Sequence, residues 1–116
     1  MGVFKKRTER SIGNIEDGWY FAVVKSVRVV NGRYGDRLEV RFQIFNTDIE
    51  RRCWLDTWVG QKNLTRRFVI ALGLLDKFEE LEEKDMIGKI VEIELKTVES
   101  NGKTFQKVVD IRGVKM

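Results

Sequence analysis

The chain has 116 residues, 22 Lys and Arg against 18 Asp and Glu, no histidine, no proline and one cysteine. That length predicts a single domain. Without His and with only Cys53 there are almost no transition-metal ligands, no internal disulfide and no histidine general base, so zinc enzymes and histidine-based hydrolases fall away.

A lone cysteine fits a reducing cytoplasm. No run of about 18 apolar residues offers a membrane span, and the basic start MGVFKKRTER lacks the apolar stretch of a secretory signal. Charge is unevenly placed. Residues 1–67 hold 14 basic against 8 acidic side chains, whereas 68–116 hold 8 against 10. Ten of the eleven arginines lie in the first part. Arginine pairs with phosphate bidentately and stacks on bases, so a polyanion would sit on that half. A solvated basic face without a ligand is the plainer alternative.

Residues 1–17 show no periodicity and read as a flexible basic arm, with Lys5, Lys6, Arg7 and Arg10 available to phosphates. The domain proper is expected over 18–116. Strand 1 begins at Gly18 and runs about a dozen residues. Its two phases, Tyr20/Ala22/Val24 and Trp19/Phe21/Val23, are both apolar, as in a first strand paired on both sides in a small closed barrel. Lys25, Ser26 and Arg28 then interrupt it, predicting a bulge or bend near there that curves the strand.

Residues 31–36, Asn-Gly-Arg-Tyr-Gly-Asp, form a turn longer than a minimal hairpin needs. It presents Arg33 and Tyr34 to solvent between two glycines. Strand 2 alternates: Leu38, Val40, Phe42 and Ile44 inward, Arg37, Glu39, Arg41 and Gln43 outward. Strand 3 is expected from Glu50 to Trp58. Asp56 is costly to bury unpaired, so the Arg52/Trp54/Asp56/Trp58 phase is assigned outward and Cys53/Leu55/Thr57 inward. Both tryptophans then share an open face with Arg37 and Arg41, an aromatic platform in a basic groove. A tryptophan sealed under a loop or helix is the competing reading.

Asn63 can cap a helix carrying Leu64, Phe68, Val69 and Leu72, with Gly73 as its stop. Asp76 and Glu79 give a partial capping signal for an acidic segment, DKFEELEEKD, that should lie away from any polyanion. Strand 4, Lys89 to Val98, points Val91, Ile93 and Leu95 inward. Glu99-Ser100-Asn101-Gly102 makes a hairpin turn, and strand 5 runs from Thr104 to Val114. Lys103, Phe105 and Lys107 cluster just past that turn, Phe105 capping the barrel end or facing a ligand.

This β-β-β-α-β-β order, mainly β with one helix between strands 3 and 4, resembles the five-stranded OB-fold barrel, whose strands 2–3 face and loops 1–2 and 4–5 bind oligonucleotides. The Gly18-Trp-Tyr20 start, the glycine-containing turn, the LEVRFQI strand and the later LxxKxxIGKxVEIEL segment look like the small phage-encoded single-stranded DNA-binding proteins of replication and recombination modules. The resemblance spans residues 18–114. It implies non-sequence-specific coating of single strands, no cofactor, no catalysis, and a recombinase or polymerase as protein partner, with a homo-oligomer as one form.

In that reading Arg28, Arg33, Arg37, Arg41, Arg51, Arg52 and Lys103 neutralise phosphates. Tyr34, Trp54, Trp58 and Phe105 stack on bases. An RNA-binding module remains open, since nothing here reads a 2′-hydroxyl. So does a protein-contact adaptor of a replisome or virion, in which the tryptophans form a hot spot. A carboxylate-only magnesium enzyme is the least supported rival.

Overall fold

The computed structural model describes residues 15–33 and 35–114. Five antiparallel strands form one sheet: β1 (Gly18–Gly32), β2 (Gly35–Ile44), β3 (Glu50–Asp56), β4 (Ile90–Ser100) and β5 (Lys103–Gly113). Helix α1 (Leu64–Ala71), a 3-10 segment (Leu75–Glu80) and the short helix α2 (Glu83–Met86) lie between β3 and β4. The spatial order is β3-β2-β1-β4-β5.

β1 is central because it is long enough to serve two neighbours. Its first half, Gly18 to Val23, pairs with β4, while β2 runs alongside it from Ala22 to Gly32. The register with β2 shifts between Val24 and Ser26, placing the expected bulge at Lys25. An extra residue bends the strand there, so the sheet curls over its apolar side. Ala22, Val24, Val40, Phe42, Ile44, Leu55, Val91, Ile93 and Leu95 are buried on that side. Phe68 of α1 closes it, its ring edge-on to Phe42 at 6.1 Å and 88°. Truncating so deeply buried a phenylalanine to alanine typically costs about 3–5 kcal/mol.

α1 follows its sequence signals. The Asn63 side chain accepts from the Arg66 N–H at 3.0 Å, and Gly73 takes φ +75° just past the end. The entry to β4 also needs a glycine. With φ +91°, Gly88 donates its N–H to the Val24 carbonyl at 2.8 Å, and the Val24 N–H returns to the Lys89 carbonyl at 2.8 Å. A side chain at that φ would be strained.

The structure corrects several expectations. The sheet is not closed into a barrel: β3 and β5 are its two edges and share no ladder. β3 stops at Asp56, and α1 leaves the sheet to lie on β5, with the Ala71 backbone against Gly113. Side chains span the seam instead. Arg51 of β3 donates to Gln106 Oε1 of β5 from Nε (3.0 Å) and Nη2 (2.7 Å).

The β1–β2 turn is shorter than expected, because Asn31 pairs with Asp36 and Gly32 with Gly35, leaving only positions 33 and 34 as connection. A Cβ on Gly32 would come within 2.9 Å of the Gly35 carbonyl, so close approach requires glycine there. Asp76 and Glu79 do not cap the 3-10 segment. Asp85 instead accepts from the Glu82 N–H at 2.9 Å, at the start of α2.

Residues 15–17, expected as part of the arm, are tied to the sheet. Ile15 packs on the core, and Asp17 accepts from the Thr97 N–H, Thr97 Oγ1 and Gln106 Nε2, each at 2.9 Å. Lys5, Lys6, Arg7 and Arg10 lie outside the described residues. No helix among the described residues is long and apolar enough to cross a membrane.

Candidate nucleic-acid interface

Register decides which side chains share the outer face. Across β1, β2 and β3 the rows are Ser26–Arg41–Arg52, Arg28–Glu39–Trp54 and Val30–Arg37–Asp56. Cys53 and Leu55 are buried while Arg52 and Trp54 are exposed, so the phase assigned to β3 from Asp56 is the observed one. Trp54 is 44% and Trp58 60% exposed.

Glu39 is the centre of this face. It is 1% exposed, yet its cover is only one side chain deep. Arg28 Nε lies 2.8 Å from Oε1, Arg52 Nη1 3.4 Å from Oε2 and Arg41 Nε 3.7 Å from Oε1, and those three arginines are 40–61% exposed. The Arg28 hydrogen bond, backed by the charges of Arg28, Arg52 and Arg41, holds the Glu39 carboxyl below its ordinary pKa although burial pushes it up. One carboxylate against three guanidiniums leaves the cluster with two surplus positive charges, held in place and facing water. The sequence reading placed Glu39 on this face without giving it a role. Alternation marks its phase, but only the register shows that three arginines surround it.

Beside this cluster lies the seam between β3 and β5, a groove of about 570 Å³. Trp54 and Arg52 stand on its β3 side, Phe105 and Lys107 on its β5 side, and Arg37 at its rim; Leu64 and Val108 belong to its lining. Phe105 is 48% exposed, so both aromatic rings reach the opening. Arg52 belongs to both the groove and the arginine cluster, making the two one surface. Lys107 was absent from the expected contact set. It shares Phe105's phase at spacing two, the signal that would have included it.

The remaining expected contacts scatter. Arg51 lies on the opposite phase from Arg52, half-buried and bonded to Gln106, and burial lowers its pKa. Trp58 sits beyond the end of β3 with its ring over Gly60, and its carbonyl accepts from Asn63 Nδ2 at 3.0 Å. It does not line the groove. Arg33 and Lys103 are exposed at the two hairpin tips, and Tyr34 lies outside the described residues. None of residues 76–85 lines the groove.

Burial pushes the Cys53 thiol up to about 12, far from a reactive thiolate at neutral pH. Among the described residues no group of three or more His, Cys, Asp and Glu side chains is placed to hold a metal. No protein-family model matches the chain, and no curated protein matches it.

Proposed function

We propose that this protein binds single-stranded nucleic acid without sequence preference, coating DNA exposed during replication or recombination in the cytoplasm. The observation that carries the reading is the seam groove. Two solvent-reaching aromatic rings, Trp54 and Phe105, face it from opposite edge strands, with Arg37, Arg52 and Lys107 around them. Flat rings accept any base, and each stacked base contributes about 1–3 kcal/mol. The cations bind the backbone through counterion release, which carries no sequence information.

The sheet supports an OB-fold reading through its β3-β2-β1-β4-β5 order and the helix between β3 and β4. In this chain the barrel would be an open variant, bridged at the seam by side chains. The role is that of a binding protein and not an enzyme, with a recombinase or polymerase as the partner the sequence resemblance implies.

The test is a titration of labelled oligo-dT, monitored by anisotropy, across a salt series. Binding should be tight at low salt and fall linearly in log–log form with added salt. Matched RNA separates the DNA reading from an RNA module. Absence of any response to either polymer would sink the proposal and favour a protein-contact role for the same groove.

A further inference from the structure

The outer face does not end at the arginine cluster. Along β2 the next outward side chains after Arg41 are Gln43 and, just past the strand's end, Phe45. The Phe45 N–H donates to the Phe21 carbonyl at 3.0 Å, and the two rings are neighbours, with centroids 6.4 Å apart and planes tilted by 53°. Phe21 is 47% and Phe45 41% exposed, and neither belongs to the buried core. Exposed rings grouped in this way on a sheet mark a contact surface.

Their position is set by the ladder. Trp54 stands opposite Glu39 and Arg52 opposite Arg41, with no register shift between β2 and β3. Phe45 is six residues along from Glu39 and four from Arg41, about 20 Å and 13 Å at roughly 3.3 Å per residue of strand. Arg41 and Arg52 therefore lie between two aromatic sites. They stand 3.7 and 3.4 Å from the Glu39 carboxylate, which Arg28 holds at 2.8 Å, so they are the guanidiniums most easily shared with a phosphate. Together with Glu50 and Arg51 they line a cleft of about 120 Å³.

We propose that Phe21 and Phe45 form a second stacking platform for the same single strand, which runs along β2 from Trp54, over Arg52 and Arg41, to Phe45. A strand reaching both platforms needs about six nucleotides at a stacked rise of roughly 3.4 Å, and fewer if stretched. The inference rests on the reading of the seam groove as a nucleic-acid site.

Charge and area favour this occupant over a second copy of the chain. The two carboxylates flanking the rings on the sheet are each held by a cation, Glu50 by Lys25 and Glu92 by Arg112, so neither stands bare against a phosphate backbone. Two half-exposed rings offer roughly 130–220 Å² of apolar surface, against the about 800 Å² per partner of a stable protein interface. A ring of that size matches one base.

Anisotropy with labelled oligo-dT from about four to about sixteen nucleotides tests it, at low salt, on the parent and on Phe21→Ser/Phe45→Ser. The double variant should bind the longest strands about five- to tenfold more weakly and the shortest within about twofold of the parent. Phe45→Tyr keeps a flat ring and should retain parent affinity, whereas Phe45→Leu keeps apolar bulk alone and should lose affinity for long strands. Both phenylalanines are already half in water, so the variants should keep the parent circular-dichroism spectrum. A parent that binds long strands and a double variant that matches it at every length would overturn the second platform and leave the groove standing. An equal loss at every length, or a changed sedimentation coefficient with unchanged binding, would overturn it too. A parent that binds no strand of any length would instead sink the groove reading on which it rests.

Discussion

Two parts of the outer face use the same three residue types and reach opposite ends. Across β1, β4 and β5, Arg112 stacks over the Trp19 ring at 3.9 Å and donates to Glu92 at 3.0 and 3.4 Å. Ring, guanidinium and carboxylate satisfy one another, and the group carries no surplus charge. Across β1, β2 and β3, three arginines converge on the side of Glu39 while Trp54 stands directly opposite Glu39 in the same row. Among the described residues no cation stacks on Trp54, and two positive charges are left over. A tryptophan beside arginines is therefore not in itself a binding surface. What matters is whether a carboxylate draws the guanidiniums away from the ring and is outnumbered by them.

The largest effect should come from Trp54→Ala. Losing one stacking platform should weaken oligo-dT binding by about 10–100-fold, read by anisotropy at fixed salt. Phe105→Ala, on the facing wall, should cost about tenfold. If neither changes affinity, the groove is not where bases sit and the contrast with Trp19 has no functional meaning.

Glu39→Gln sharpens the comparison from the charge side. It raises the cluster's surplus from two to three, so affinity at about 50 mM salt should rise several-fold and the log–log salt slope should steepen by about 0.7. A loss of affinity would instead make Glu39 a positioning residue whose grip on the guanidiniums matters more than its charge. The same variant has a pH signature. Because the folded-state pKa lies below the ordinary 4.5, Glu39 adds stability above that value and loses it as pH falls through the folded-state pKa. Melting temperatures of Glu39→Gln should therefore depend less on pH than the parent's below about 4.5.

How far the sequence carried this picture depends on whether a feature is local. Alternation in β2, the Lys25 bulge and the Asn63 cap are written within a few residues, and each was legible. The phase of β3 was also legible, because an unpaired Asp56 is costly on the inner side. The seam was not. Whether β3 and β5 pair depends on where α1 leaves the sheet and lies against Gly113, a long-range contact with no mark in either strand. Arg51 illustrates the same limit. Adjacent to Arg52 and chemically identical, it faces the other way and spends its donors on Gln106, fifty-five residues distant. Trp58 is exposed as expected but lies off the groove, because β3 ends at Asp56, two residues short of its expected end.

Lys107→Ala should have a smaller effect, a few-fold loss of affinity and a salt slope shallower by about 0.7, equal for every oligonucleotide sequence. It separates a phosphate contact from a packing role, since a packing defect would leave the slope unchanged.

The smallest effect on binding is expected at the Trp19 site, and it decides what the comparison means. Arg112→Ala uncovers the Trp19 ring, giving the β4–β5 side an exposed aromatic like that of the groove. Ring availability alone would then create a second stacking site, and affinity or binding stoichiometry would rise. Charge argues otherwise. Without Arg112, the ring's neighbours across the strands are Glu92 and Glu94, two carboxylates facing an incoming phosphate backbone. Repulsion of that kind opposes the gain from stacking, so affinity should stay within about twofold of the parent. Stability should fall by about 0.5–1 kcal/mol for the lost cation–π contact, read as a lower melting temperature. Tighter binding in this variant would mean that exposed rings suffice and that the arginine cluster around Glu39 is incidental.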